Sequence, residues 1–290
     1  MATYTSCGMR TLVATCLICS FGSAIAQATS SASISGLQYT LTDLDPDDGI
    51  APSLTWGSST VTNSLRVQTQ TGVGSYWGAQ LGTPIFAVTF DQTTTTPGDF
   101  GTAGELVFNG HNSTSNAQGL SVTASAPLGA YWTDTAAFQG NFSLSAKTAV
   151  TFFAQAQASV GVHVPADAPL TIEEGGYRSN GYFDWAYIQA ESLASLTFTG
   201  GVPYLEPKDN LSAWVRDYVT ATDNGARLLS ATYNNDTSQS LDKGIQASLW
   251  VSGYTVTPLV PEPATWAQWL IGLVGIGTLG WLRGARRIQH

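Results

Sequence analysis

The sequence predicts an all-β protein, specifically an antiparallel β-sandwich of the jelly-roll type. Apolar and polar residues alternate with a period of two along many segments, as they do in strands that bury one face. Clusters of Gly, Pro, Asn and Asp separate these segments and mark turns. Many short strands joined by regular turns are typical of a sandwich or jelly roll.

The clearest strand pattern runs from residue 150 to residue 164. Its even positions are all apolar, whereas Phe153 is the one large apolar residue among the odd positions. Helical spacing does not fit this pattern, because alternate side chains of a strand point to opposite faces. Three of the apolar positions are small, which predicts that a second sheet packs closely over them: Ala154, Ala156 and Ala158.

The same alternation predicts further strands at residues 37–42, 84–90, 139–146, 194–199 and 245–252. Residues of the turn-forming types predict turns at 45–49, 93–98, 112–116, 165–169, 203–210 and 234–236. Residues 170–182 are interpreted as a long surface loop. We expect a short helix at Leu211–Val219, with a strand as the alternative because the segment contains aromatic residues.

Composition excludes several classes of protein. Hydrophobic residues make up 43% of the chain and charged residues 11%, a balance that argues against intrinsic disorder. The formal net charge is −9, with only 11 Lys and Arg residues. Nucleic-acid binding depends on clustered basic side chains, so we expect no nucleic-acid partner.

Residues 1–26 have the features of a secretory signal peptide. Arg10 precedes a mostly apolar run from Thr11 to Ile25, and Ala24-Ile25-Ala26 forms a small-residue cleavage site. Cleavage by signal peptidase after Ala26 would leave Gln27 as the first residue. All three cysteines lie in the removed segment, so disulfides and cysteine-based metal sites are not expected in the mature protein: Cys7, Cys16 and Cys19.

Residues 260–290 combine a short motif, an apolar run and a basic tail. The motif is Val260 followed by Pro261, Glu262 and Pro263, and it precedes a predicted transmembrane helix at residues 266–282. This span is near the short limit of about 17 residues for a transmembrane helix. The tail of residues 283–290 is expected to stay cytoplasmic, because it carries Arg283, Arg286 and Arg287.

This arrangement closely resembles the PEP-CTERM sorting signal of Gram-negative bacteria. The resemblance implies recognition near the Pro-Glu-Pro box by an exosortase-type membrane protease. It also implies export, transient anchoring in the inner membrane, and delivery to the cell surface or to the extracellular matrix of bacteria that make exopolysaccharide or biofilm. Residues 37–56 are similar to the start of the mature domain in some PEP-CTERM proteins that have no assigned activity. The predicted domain organisation is therefore a signal peptide (1–26), a β-sandwich (27–259) and a sorting signal (260–290).

The stretch from Thr42 to Gly49 is a candidate calcium site. Carboxylates at Asp43, Asp45, Asp47 and Asp48 provide the oxygen ligands that Ca²⁺ prefers. The stretch departs from an EF-hand loop, because its glycine comes one residue late and its twelfth position is Leu54. The alternative is a hairpin turn in which the aspartates accept hydrogen bonds from nearby amides.

The sequence shows no nucleophile motif, phosphate loop or dinucleotide fingerprint. His111 lies in a predicted Asn/Ser loop, and His163 lies on the polar face of a predicted strand. A polysaccharide-acting enzyme would need two carboxylates on either side of a glycosidic bond. The candidates for such a pair are Glu173, Glu174, Glu191 and Glu206.

Three functional hypotheses remain, in order of preference. The first is a non-enzymatic surface or matrix protein associated with exopolysaccharide. The second is a carbohydrate-binding module, and the third is a polysaccharide-acting enzyme. In a carbohydrate-binding module, exposed aromatic rings would stack on sugars, although strand packing accounts for most aromatic residues in β-proteins. The candidate rings are Trp56, Trp77, Trp132, Trp185, Trp214 and Trp250.

Overall fold

A computed structural model describes residues 27–74, 83–127, 129–163, 188–200, 206–216 and 220–255. These residues form two six-stranded antiparallel sheets packed as a sandwich, which confirms the predicted fold class. The strands are β1 (Gln27–Asp43), β2 (Leu54–Gly74), β3 (Thr83–Pro97), β4 (Gly104–Phe108), β5 (His111–Asn116), β6 (Gly119–Pro127), β7 (Ala130–Leu144), β8 (Thr148–His163), β9 (Ile188–Thr199), β10 (Lys208–Arg216), β11 (Ala221–Asn235) and β12 (Leu241–Thr255).

The strand orders of the two sheets match, so that each strand of one sheet packs against the strand at the same place in the other. Sheet A has the order β11-β8-β1-β6-β5-β4, and sheet B has the order β10-β9-β12-β7-β2-β3. Contacts between the sheets run from β10 against β11 at one side, through β1 against β12, to β3 against β4 at the other. The chain therefore passes repeatedly from one sheet to the other along the sequence.

Several of the predicted local structures are wrong, including parts of the turns expected at 203–210 and 234–236, since residues 208–210 begin β10 and residues 234–235 end β11. The helix expected at Leu211–Val219 is a strand over its described part, because β10 extends to Arg216 and pairs with β9. The turn expected at 93–98 is mostly the end of β3, and the turn expected at 112–116 is β5. In β3 and β5 the Asn, Ser and Thr side chains favoured a turn locally, but pairing with a neighbouring strand satisfied the backbone instead. The turn at 45–49 is confirmed.

The interior is formed by the apolar positions of the alternating strands. In β8 every even residue from Val150 to Val162 is buried, and in β12 the odd residues from Ile245 to Val251 are buried. The alanines of β8 face β9 and β10 of the other sheet, as the sequence predicted. Small side chains on one face allow the second sheet to approach closely.

A bulge in β1 reverses which residues face the interior. The register of β1 against β8 shifts between Ser35 and Gln38, and Gly36 adopts a φ of 63°. A left-handed backbone conformation favours glycine at this position. The buried residues of β1 are therefore at even positions before the bulge, whereas Leu37 and Leu41 contact the core after it.

An aromatic cluster fills the end of the interior beyond this bulge. Phe152 lies at its centre, with ring centroids 5.5 Å from those of Tyr39 and Phe142 and 5.8 Å from that of Phe198. The ring of Trp56 lies 5.7 Å from Phe152. Gly140 makes room for the indole, because a Cβ there would come within 2.7 Å of the ring of Trp56.

Aspartates of the outer strands β10 and β11 accept hydrogen bonds from each other's backbone amides across the gap between the sheets. The backbone amide of Trp214 in β10 donates to the Asp223 carboxylate of β11 at 2.9 Å. In return, the amide of Ser230 in β11 donates to the Asp209 carboxylate of β10 at 2.9 Å, and Arg227 forms an ion pair with Asp209. Carboxylates thus satisfy backbone donors that an edge strand would otherwise leave open.

Replacing Phe152 by Ala tests the aromatic cluster. Phe152 is fully buried, so we expect Phe152→Ala to lower the free energy of unfolding by about 3–5 kcal/mol in urea titrations. The matched control is Phe153→Ala, because Phe153 is half-buried on the opposite face of β8. This change should lower the free energy of unfolding by about 1 kcal/mol or less. Equal losses for the two variants would contradict the described orientation of β8.

Candidate functional site

A buried His–Asp pair lies between the two sheets. Nδ1 of His111 in β5 is 2.6 Å from Oδ2 of Asp134 in β7. The side chains are 2% and 0% exposed, respectively. The second carboxylate oxygen, Oδ1, accepts the backbone amide of Arg66 in β2 at 3.3 Å. The pair therefore connects β5 of sheet A to β2 and β7 of sheet B.

Polar side chains of β5 continue this pair into a small network. The hydroxyl of Ser113 is 2.9 Å from Oδ1 of Asn63 and 2.6 Å from the carbonyl oxygen of Thr135. Nδ2 of Asn63 donates to the hydroxyl of Ser115 at 3.4 Å. These buried polar groups occupy inward positions where other strands carry apolar residues, and each has a hydrogen-bond partner.

Burial raises the pKa of the Asp134 carboxyl above its usual range. Desolvation is the largest cause, because removal from water disfavours the charged carboxylate. The hydrogen bond and charge of His111 and the amide of Arg66 act in the opposite direction but do not outweigh it. Trp132, whose ring lies 6.1 Å from that of His111, forms the apolar wall of the site.

The sequence pattern contains a signal for this pair. Asp134 lies between Trp132 and Ala136 in the run of inward positions of β7, where a charge is unexpected. His111 was expected in a loop, which is wrong because it is the first residue of β5. A charged residue at a core position of an alternating strand indicates a buried partner, although the sequence does not identify that partner.

The arrangement holds the sheets together rather than exposing a reactive group. A catalytic base must come within hydrogen-bonding distance of the substrate, and both side chains of the pair are shielded from solvent. His163 is exposed at the end of β8 and is 3.5 Å from the hydroxyl of Thr220. The structure therefore does not bring the two histidines together.

The two described glutamates proposed for glycosidic cleavage are also apart. Glu206 forms an ion pair of 2.9 Å with Lys243, and the neighbouring Pro207 carbonyl accepts the amide of Phe198. Glu191 lies seven residues before Phe198 on β9, roughly 20 Å away at the rise of a strand. Glycosidase carboxylates are about 5–9.5 Å apart, so these two do not form such a pair. Glu173 and Glu174 lie outside the described residues.

The outer face of sheet B carries a shallow polar depression of about 470 Å³. It lies over β2, β3 and β7. Arg66 and Asp91 cross it with an ion pair of 3.6 Å, and each side chain is 51% exposed. The ring of Tyr131 lies at one end, 6.0 Å from that of Phe86. The remaining lining residues are Ser64, Gln68, Thr133 and Thr135.

A ladder of hydroxyl pairs extends from this depression along β2 and β3. Two cross-strand pairs on this face have oxygen–oxygen distances of 3.1 and 2.8 Å, Thr62 with Thr95 and Ser64 with Thr93. A third pair, Thr69 with Thr89 at 2.7 Å, lies on the opposite face, because Thr69 is opposite the buried Ala130 of β7. Cross-strand hydroxyl pairs contribute to the stability of a two-stranded ladder. They also give this face a dense array of neutral donors and acceptors.

The tryptophans do not form one exposed row. Trp132 is fully buried and donates from Nε1 to Ser30 at 3.2 Å, so it belongs to the core. Trp56 is 40% exposed at the edge of the aromatic cluster. Trp214 is 50% exposed on β10, and Trp250 is half-buried on the outer face of β12. Trp77 and Trp185 lie outside the described residues.

The Asp43–Gly49 stretch has the hydrogen bonds of a turn. The Asp43 carboxylate accepts the amide of Asp45 at 2.9 Å, and the Asp48 carboxylate accepts the amide of Ile50 at 2.6 Å. Gly49 has a φ of 74°. Over the described ranges, no three His, Cys, Asp or Glu side chains are grouped so that they could hold a metal ion. Calcium binding by Asp43, Asp45, Asp47 and Asp48 stays a prediction.

The predicted signal peptide (1–26) and the predicted sorting signal (260–290) lie outside the described residues, and Gln27, the residue after the predicted cleavage site, is the first residue of β1. Within the part of the chain that the structure describes, no helix has the length and apolar character required to cross a membrane. The predicted span at 266–282 belongs to the segment that is not described. Its assignment therefore depends on the sequence pattern alone.

Comparisons with known proteins give no family assignment. No family model, no curated protein and no solved structure matches the chain.

Two buried or paired carboxylates should give opposite pH dependences of stability. The raised pKa of Asp134 means that the folded state retains its proton more strongly, so this contribution is present at low pH and is lost as pH rises. Burial alone would raise the pKa of Asp209. Hydrogen bonds from Arg227 and Ser230 lower this pKa by more than burial raises it, so it lies below its usual range. Asp209 therefore contributes stability that is lost as pH falls.

We expect Asp134→Asn to gain stability relative to the unmodified protein as pH rises above about 4, the usual pKa of an aspartate in the unfolded chain. Asp209→Asn is the control with the opposite sign, and it should lose relative stability as pH rises above its lowered pKa. Urea unfolding at closely spaced pH values measures both differences. The same sign for the two variants would contradict the burial of Asp134.

Proposed function

We propose that the chain is a non-enzymatic protein of the bacterial surface or extracellular matrix, exported and sorted by an exosortase-type system. The observation that carries this proposal is the order of Pro261-Glu262-Pro263, an apolar run at 266–282 and Arg283, Arg286 and Arg287. The predicted signal peptide at 1–26 supports it independently, because both termini then have export functions.

The described part of the protein has properties that fit this role. Its charged groups are few, and its interior is closed by two apolar sheet faces without any cysteine from residue 27 onward. The His111–Asp134 pair is buried, and Glu206, which precedes β10 and pairs with Lys243, is far from Glu191 of β9. A stable sandwich with a hydroxyl-rich outer face fits a structural component of a polysaccharide matrix.

Intact mass of the protein recovered from the surface or culture fluid of its native host tests export and sorting. We expect a species that begins at Gln27 and lacks the residues after Pro263, because signal peptidase and an exosortase would remove the two terminal segments. Replacing Pro261 and Pro263 by Ala should leave the C-terminal segment attached. A membrane-bound species ending at His290 in the unmodified protein would instead identify a single-span anchored protein.

The depression on sheet B favours carbohydrate binding as the second candidate function. The Arg66–Asp91 ion pair offers donors and acceptors side by side without net charge, which complements neighbouring hydroxyls of a sugar. Tyr131 supplies an aromatic ring at the end of the same depression. Sugar sites commonly combine a ring for stacking with a few oriented polar groups. Trp214 and Trp250 lie on the same face of sheet B.

Polysaccharide pull-down with host exopolysaccharide tests this second candidate. Arg66→Ala and Tyr131→Ala should each weaken retention by about tenfold, corresponding to the loss of one good contact. The matched control is Tyr39→Ala, which removes an exposed tyrosine of sheet A and should leave retention unchanged. Retention that is equal for all variants, or absent in the unmodified protein, would exclude the depression as a sugar site.

A further inference from the structure

The outer strand of sheet B has an open edge. β3 spans 15 residues, from Thr83 to Pro97, and pairs with β2 on one side. Along its other side, no strand formed by the described residues is paired with it. Its described side chains from Ile85 to Pro97 are all exposed or half-buried, and Ile85 and Val88 are 50% and 53% exposed.

Two backbone hydrogen bonds show which way the peptide groups of β2 point. The amide of Gly98 donates to the carbonyl of Ser59 at 3.0 Å, so odd residues of β2 turn toward β3. The amide of Gln70 donates to the carbonyl of Gly129 at 2.7 Å, so even residues of β2 turn toward β7. Successive residues of a strand bond to opposite sides, which makes the two observations consistent.

The register of β2 against β3 then assigns the outward groups of β3. Asn63 is opposite Thr94, so the even residues in this part of β3 turn toward β2. The N–H and C=O groups of Asp91, Thr93 and Thr95 therefore point away from the sheet. These groups form a regular row of donors and acceptors of the kind that pairs with another strand.

The other edges of the sandwich are protected, whereas the centre of β3 is not. β4 has only five residues. In β10 and β11, the carboxylates of Asp209 and Asp223 accept backbone amides of the facing outer strand. In β3, prolines stand only at positions 84 and 97, near its ends. Its one charged side chain, Asp91, forms an ion pair with Arg66. Charges, prolines and short length are the usual protections of an edge, so residues 92–96 remain available.

We propose that β3 pairs antiparallel with β3 of a second copy of this chain, which joins the two copies of sheet B into one continuous sheet. A two-fold axis makes a strand complementary to itself, because residue i then pairs with residue j and residue j with residue i. With Thr93 opposite Thr93, Asp91 lies opposite Thr95 and the two aspartates stay apart. Threonine favours this pairing through its β-propensity and its hydroxyl pairs across strands. The proposal is independent of export and of sugar binding.

Sedimentation velocity of the full chain in mild detergent tests the proposal. Thr93→Pro removes one outward N–H and leaves the β2–β3 hydrogen bonds intact, since proline is tolerated where the N–H of an edge strand faces solvent. Thr93→Ala is the matched control, because it loses the same hydroxyl contact with Ser64 but keeps the N–H. We expect a dimer for the unmodified protein and for Thr93→Ala. The dissociation constant should rise about tenfold or more for Thr93→Pro.

Amide hydrogen exchange provides a second test that does not depend on any variant folding. The amides of Thr93 and Thr95 should exchange slowly at high protein concentration and rapidly at low concentration, because only the dimer protects them. The amides of Gln92 and Thr94 should be protected at both concentrations by β2. An unmodified protein that is monomeric throughout would overturn the proposal. Protection of Thr93 at every concentration would also overturn it, by indicating that another segment of the same chain covers the edge.

Discussion

The close packing of two apolar sheet faces is the interaction on which the rest of the structure depends. The chain has no cysteine after residue 19, so within the described residues this packing acts without any disulfide cross-link. The alanines of β8 allow β9 and β10 to approach closely, and the aromatic cluster around Phe152 fills the wider end. Burial of apolar surface at about 25 cal/mol per Å² is the main favourable term for such a core.

The polar network inside this core has a different physical role. Burying Asp134 has a cost, which its raised pKa reports, and His111 offsets part of that cost. The contacts join β5 to β2 and β7 only in the observed register, because a shift by one residue would point each side chain to the opposite face. The pair therefore favours one alignment of the sheets more than it adds to overall stability.

The two sides of the sandwich differ in how the backbone groups of their outer strands are satisfied. At the β10–β11 side, carboxylates of one sheet satisfy amides of the other, and Arg227 balances the charge of Asp209. At the opposite side, the stacked rings of Phe90 and Phe108 close the interior, with centroids 4.3 Å apart, and no strand among the described residues pairs with the outer groups of β3. The same side carries the hydroxyl ladder and the depression.

The sequence by itself determined the fold class, several strands and the inward faces of β8 and β12. Period-two alternation is a local property of the chain, and it directly records which side chains are buried. It also contained the patterns at residues 1–26 and 260–290, on which the proposed export depends. It did not identify β5, because polar side chains there favour turns locally and strand pairing decides otherwise. At Leu211–Val219 it left a helix and a strand open, and the strand is what the structure shows over the described part.

Only the tertiary structure decided which residues meet. His111 and Asp134 are 23 residues apart in sequence, and Arg66 is a further 45 residues from His111, yet one carboxylate contacts both strands. Trp132 and Trp250 were both candidate sugar-stacking rings in the sequence, but Trp132 is buried in the core and Trp250 lies on an outer face. The reason is physical: strand pairing brings distant segments into register, and a single sequence records the faces of each strand without recording its neighbours.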